Sequence, residues 1–307
     1  MEEKAFLFDI SEFKKVDYIN NLAYNKVLVA HDGKTNKDFI LDHFYYKPDK
    51  KVEIDLNHSI EKLRQNPHPI LNEILGCSLQ QFDQFESEYI KLISKFHSNI
   101  TLSSLLRSLR VGKTIEGFDN TTRFTIMAGI ARGMMHFYEH EIGFLSLRPY
   151  NVFLDENFNP IILPEFNLVT QAGFQNPEFP AARLDENIYV PFFDYEYENN
   201  SPEISDVYSF AMIAYEIING SRAFSSDKTI QSAIGVRKRM DKGGYPVFHK
   251  PIPPSLKSLI EMCWSQNMEE IPSFKEIFNF LANDLVKDGS IEDFDSEKYN
   301  NYIKSIL

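Results

Sequence analysis

The stretch Gly143–Val169, GFLSLRPYNVFLDENFNPIILPEFNLV, decides how the rest of the chain is read. It contains two short apolar runs, Asn151–Leu154 and Pro160–Leu163, joined by the polar Asp-Glu-Asn-Phe-Asn. Apolar residues on either side of an Asp/Asn-rich turn predict a β-hairpin with a loop longer than two residues. Just ahead of it, TTRFTIMAGIARGMMHFYEHEI carries apolar residues at helical spacing. The expected unit is therefore a helix followed by a hairpin whose apolar side packs on that helix.

Upstream, the pattern is that of strands. Between Val16 and Tyr46, KVLVAH and DFILDHFYY alternate around Asp32-Gly33-Lys34, a second hairpin signal. A helix is expected over Asp55–Gln65, ending before Asn66-Pro67, with further strands at Asn72–Leu79 and Tyr89–Ser94. After Asn99 the period becomes helical, at Leu102–Leu109, Thr121–His140, Ser205–Asn219, Pro254–Cys263 and Phe274–Asp284. Thr121-Thr122 are placed to cap the second of these, Gly220 to end the third, and Ser273 to cap the last. A strand-rich first third before a helix-rich remainder is α+β with two unlike lobes. The divisions read as a lead-in at 1–11, a β-rich lobe at 12–98, a helical lobe at 99–285 and an acidic tail at 286–307. That tail is expected as a solvated appendage, a docking segment being the other reading.

Composition narrows the function classes. Among 307 residues, 43% are hydrophobic and 26 are Phe, which provides for a large core rather than disorder. Lys and Arg number 32 against 44 Asp and Glu, a net charge of −12, so nucleic acid and anionic membrane surfaces are poor partners. Cys77 and Cys263 sit in apolar contexts without metal-ligand spacing and read as buried free thiols. MEEKAFLF is too short and acidic for a signal peptide, and no apolar run is long enough to span a membrane. A cytoplasmic protein is the expectation.

Five groups of residues carry a family resemblance. They are Phe144-Leu145-Ser146-Leu147-Arg148-Pro149-Tyr150-Asn151, then Glu165-Phe166-Asn167, then Ser205-Asp206-Val207-Tyr208-Ser209-Phe210. Cys263-Trp264 with Ile271-Pro272-Ser273-Phe274 follows, and Asn99-Ile100-Thr101-Leu102 stands upstream. In this order they resemble the catalytic loop, metal-binding loop, buried long helix, C-terminal signature and hinge exit of protein kinases of the tyrosine and tyrosine-kinase-like type. The resemblance covers about 12–285. It implies a two-lobed fold: a small five-stranded antiparallel sheet with one helix, and a larger, mainly helical lobe. It also places Ser94 at the gatekeeper position and makes Asp206 and Trp264 structural residues.

Phosphoryl transfer needs a clamp on the triphosphate, metal ligands and a group that positions the acceptor hydroxyl. The segment matching the glycine-rich loop, Asn20-Asn21-Leu22-Ala23-Tyr24-Asn25-Lys26-Val27, has no glycine, so a Cβ stands wherever backbone should approach phosphate. Asn20 and Asn25 are able to keep the turn shape. The phosphate-pairing strand lysine aligns with Asp42, an anion. Its helix glutamate matches Asn57 or Glu61 without a clear choice. Lys26 is the available substitute cation, an ordinary exposed strand lysine being the other reading.

In the catalytic loop Ser146 stands at the position of the aspartate and has no useful basicity at neutral pH. Leu145 replaces the adjacent arginine, and Arg148 keeps a positive charge near the loop lysine. Asn151 and Glu165 keep metal-ligand types, and Asn151 reads equally well as a turn residue bonding its own backbone. The family's buried ion pair in the helical lobe matches Phe193 and Ile271, and replacing both members by apolar groups avoids stranding one charge. A slip of one residue would place Asp194 there instead.

The resemblance therefore implies a degenerate kinase domain, a pseudokinase, with no catalytic residue expected at Asp42, Ser146 or Glu165. It would act as a scaffold or allosteric partner of another protein, such as an active kinase. No cofactor is required, and ATP with magnesium would bind weakly if at all, through Asn20, Lys26, Ser94, Asn151 and Glu165. Two alternatives stay open: a divergent active Ser/Thr or Tyr kinase, and a nucleotide-sensing pseudokinase without transfer. The oligomeric state is left open.

Overall fold

The computed structural model describes residues 7–21, 25–44, 50–83, 89–142, 147–164, 202–225, 233–240, 242–287 and 291–307. The first lobe is one antiparallel sheet in the order β1-β2-β3-β5-β4, built from β1 (Phe13–Asn21), β2 (Asn25–Asp32), β3 (Lys37–Phe44), β4 (Ile74–Ser78) and β5 (Lys91–Lys95). Helix α1 (Lys50–Gln65) lies between β3 and β4 in sequence and packs against β4. The β2–β3 register is fixed by its turn. The Asp32 carboxylate accepts the N–H groups of Lys34 at 3.0 Å and Thr35 at 3.2 Å, and the Thr35 hydroxyl at 2.6 Å. These bonds, the hydroxyl's above all, hold the carboxyl below its usual range.

Strand alternation gives the sheet two different faces. One buries Leu28, Ala30, Phe39, Leu41 and Ile93 under Ile10, Phe13 and Phe82. The other carries Phe44, Leu92, Cys77 and Ile74 against Leu56, Ile60 and Leu63 of α1. Residues 7–10 of the lead-in cover the β4 edge, where the Phe8 N–H donates to the Cys77 carbonyl at 2.6 Å.

The second lobe opens with α2 (Leu102–Arg110), capped by Thr101 and Ser104 reciprocally. Helix α3 (Asn120–Glu139) follows, then the hairpin β6 (Val152–Leu154) and β7 (Pro160–Ile162). The cap of α3 is Asp119, whose carboxylate accepts the Thr122 N–H at 2.8 Å, and not Thr121-Thr122 as the sequence suggested. Two glycines let the hairpin lie on α3. A Cβ on Gly129 would run into the Pro160 ring and the Tyr302 hydroxyl; one on Gly133 would meet Ile162 Cδ1 at 2.7 Å and Ile70 Cγ2 at 2.9 Å.

Next come α4 (Pro202–Asn219), α5 (Ala233–Met240), α6 (Pro254–Cys263) and α7 (Phe274–Asn279). Gly220 ends α4 at φ +69°, a left-handed position suited to glycine. Ser273 caps α7 in a box with Glu276. The helix expected over Phe274–Asp284 changes winding after Asn279, becoming a π turn at Phe280–Asp284 and a 3₁₀ turn at Leu285–Lys287. Cys77 and Cys263 are both buried and outside any disulfide, and burial pushes the Cys263 thiol up.

The expectation of a solvated tail is wrong. Helix α8 (Ser296–Ser305) packs against α3 and buries Tyr299, Ile303 and Ile306 in the main core. The Tyr299 hydroxyl donates to the Leu281 carbonyl at 3.0 Å, and the Asp295 N–H to Thr121 Oγ1 at 2.8 Å. Its acidic lead residues hide a four-and-three apolar spacing that serves as a docking stripe. No helix among the described residues is long and apolar enough to cross a membrane.

Candidate functional site

The two lobes meet where the sheet faces the β6–β7 hairpin. Val27 of β2 and Ile40 of β3 pack there on Phe153 of β6, Ile161 of β7 and Leu163, all buried, with Ile19 and Phe96 at the margins. A backbone tie closes the junction on one side. Leu71 bridges Ile162 in parallel, with Asn72 N–H to Ile162 O at 2.8 Å and Ile162 N–H to Ile70 O at 2.6 Å. The interface is thus filled with aliphatic and aromatic side chains from both lobes.

Asp42 stands on this same face, two residues beyond Ile40, with Val27 and Leu92 as its cross-strand neighbours. It is 1% exposed. An anion therefore occupies the wall where the resemblance places the phosphate-pairing lysine. Lys26 does not replace that lysine. It pairs with His43, which pairs with Lys91, so the three form a row on the opposite face of the sheet. Burial and the two neighbouring ammonium groups push His43 down to about 3, and burial pushes Lys91 down to about 8. The Lys91 ammonium donates to the Tyr89 carbonyl at 2.9 Å. The sequence could not tell the two faces apart without the β2–β3 register.

Asn20 pairs with Val27 through its backbone, and its side chain is outside the description. Ser94 is buried opposite Ile40, and its hydroxyl accepts from Asn72 Nδ2 at 3.2 Å, turning it toward the α1–β4 connection. Glu61 of α1 takes a bond from Gln65 Nε2 at 2.8 Å, one turn along its own helix.

Below the cleft, the loop before β6 is organised by Asp206 of α4. Its carboxylate, 2% exposed, accepts the Leu147 N–H at 2.9 Å and the Tyr138 hydroxyl at 2.6 Å. Burial, reinforced by that carboxylate, pushes the Tyr138 phenol far above its ordinary range. Asn151 is fully buried; its Oδ1 accepts the Arg148 N–H at 3.0 Å and its carbonyl accepts the Leu163 N–H at 2.7 Å. It holds the turn together, the second of its two sequence readings. Arg148 reaches the Leu147 carbonyl at 3.0 Å and Ser209 Oγ at 3.4 Å, toward α4. Leu145, Ser146, Glu165, Phe193 and Asp194 lie outside the described residues, so the expected pairings of Asn151 with Glu165 and of Phe193 with Ile271 lie there too. Ile271 packs half-buried on the core, and Trp264 stacks on Phe248 at 6.2 Å and 28°.

The residues missed in the sequence are Ile40, Phe153, Ile161 and Leu163. Their apolar runs were visible, but which face of each run met the other lobe was not.

Residues 24–281 match the family model described as protein tyrosine and serine/threonine kinase. The curated relatives include the serine/threonine-protein kinase STY17 of Arabidopsis thaliana, 24% identical over 58% of this chain and 30% of that protein. The serine/threonine-protein kinase VIK of the same plant is 27% identical over 76% of this chain and 51% of its own length. The RGS domain-containing serine/threonine-protein kinase A of Dictyostelium discoideum is 25% identical over 77% of this chain and 20% of its own. The chain thus spans about half or less of the length of these relatives.

Proposed function

The chain belongs to the protein tyrosine and serine/threonine kinase family, and we propose that within it the protein works as a pseudokinase. It would serve in the cytoplasm as a scaffold or allosteric partner for another signalling protein, an active kinase being one such partner. Asp42 carries this reading. An unpaired contact between a carboxylate and a phosphate oxygen at ~4 Å, with an effective dielectric of ~20, is repulsive by roughly 4 kcal/mol. A lysine at that position would attract by a similar amount.

Three further features support it. The glycine-free segment before β2 brings Cβ atoms to the backbone that should close on phosphate. Lys26 stands in the His43–Lys91 row, on the face away from Asp42. Phe153 and Ile40 occupy the interlobe space with apolar surface. The described residues around the cleft therefore do not fit a magnesium-bound triphosphate, and no transfer step is assigned to them.

The test is a transfer assay on purified chain with radiolabelled ATP, magnesium or manganese, and myelin basic protein as acceptor. No incorporation above a heat-denatured blank is expected. Incorporation that co-purifies with the chain and falls on Ser146→Ala would overturn the reading.

A further inference from the structure

A cavity of about 400 Å³ opens between the end of α1, the 66–74 connection and the end of β5. We propose that it is a docking groove for a short peptide segment of a partner protein, one that carries an acidic residue next to an aliphatic one. This rests on the partner-binding reading above.

The chemistry of the groove is divided. Leu63 and Ile74 form a buried apolar floor with the half-buried Leu71, which accepts an aliphatic side chain. Arg64 and Lys95 are exposed at its rim and Glu73 is the anion among its lining groups. The Arg64 guanidinium is steadied by donating to the Leu75 carbonyl at 3.0 Å. Glu73 and Lys95 are tied side by side through the Lys95 N–H and the Glu73 carbonyl at 3.0 Å. Two cations against one anion make this a positive spot on a chain whose net charge is −12, so the occupant it favours is acidic.

A second observation lies at the inner wall. Asn72 lines the cavity, is nearly fully buried, and its Oδ1 has no hydrogen-bond partner. Its Nδ2 is already committed to Ser94. A buried acceptor of this kind calls for a donor, and a peptide supplies amide N–H groups that a simple carboxylate does not. The site is also placed to matter. The 66–74 connection pairs with β7 through Ile70 and Asn72, and His68 Nε2 lies 3.2 Å from the Ile306 carbonyl beyond α8. An occupant would therefore bear on the connection that joins both lobes.

The test is panning of a phage-displayed random 12-residue peptide library on the full chain, with a double Arg64→Glu, Lys95→Glu variant panned in parallel. Enriched peptides should carry Asp or Glu within a few positions of Leu, Ile or Val. They should bind the double variant and Leu71→Asp at least tenfold more weakly, and Lys95→Arg equally well. Thermal unfolding of each variant checks that it folds, and the double variant should select basic peptides instead. No enrichment, enrichment without acidic residues, or equal binding to wild type and double variant overturns the groove. The transfer assay above is independent of it. Transfer activity with an intact acidic-peptide preference would sink the pseudokinase reading and spare the groove, and an inactive chain with no preference would do the reverse.

Discussion

Asp206 and Asp42 are both almost fully buried carboxylates, and their settings are opposite. Asp206 lies in the helical lobe with two buried donors pointed at it, the Leu147 N–H and the Tyr138 hydroxyl. Asp42 lies in the sheet wall on the face it shares with Val27 and Ile40, where family resemblance calls for a cation. The first position has a structural demand that any sequence with this fold must meet, because an orphaned buried N–H is costly. The second has a chemical demand, which on the pseudokinase reading lapses. On that reading the helical framework keeps its residue types and the cleft does not.

The comparison can be broken most severely at Asp206. Asp206→Ala leaves two buried donors without an acceptor, at ~1–3 kcal/mol each, a loss of roughly 2–6 kcal/mol in denaturant unfolding. A change within error would mean the framework is not held from this residue. Phe153→Ala asks whether the cleft is core. If Phe153 is packed as Val27, Ile40 and Ile161 suggest, truncation should cost about 3–5 kcal/mol; a loss well under ~1 kcal/mol would describe an open groove. Gly129→Ala gains ~1 kcal/mol of helix propensity. It must also displace Pro160 or Tyr302, so a net loss of about 1–2 kcal/mol is expected. Ser273→Ala removes the α7 capping box and should cost about 1 kcal/mol.

A further effect is pH dependence at the α1–β4 connection. The His68 and His136 rings lie 4.7 Å apart, tilted by 44°, and burial first, then neighbouring charges, lower both, His68 to about 4. The folded state prefers them neutral while the unfolded chain protonates near 6.5. Their stabilisation is complete above that pH and is lost as pH falls toward about 4. The melting temperature should decline across this window, and His68→Gln should flatten the slope.

Most of the architecture was legible because it is written in local pattern. Asp32-Gly33 between alternating runs marks the β2–β3 turn, and Ser273 with Glu276 marks the start of α7. Other features need information that pattern does not hold. The winding change at Phe280–Asp284 has no marker in the sequence. The place of Lys26 depends on whether an odd or an even residue of β2 faces the cleft, which the pairing with β3 decides. The docking of α8, one of the two readings of the tail, is legible in Tyr299, Ile303 and Ile306, spaced as one helical stripe, while the surrounding charges favour solvent.

The most direct test of the central claim is thermal unfolding of the purified chain titrated with ATP, with and without magnesium or manganese. A ligand at 100 times its Kd stabilises by ~2.7 kcal/mol, a rise of a few degrees for a protein of this size. With Asp42 in the wall and Phe153 in the cleft, no rise is expected at millimolar nucleotide. A saturable, metal-dependent rise would contradict the account and return the site to Asn151 and Glu165.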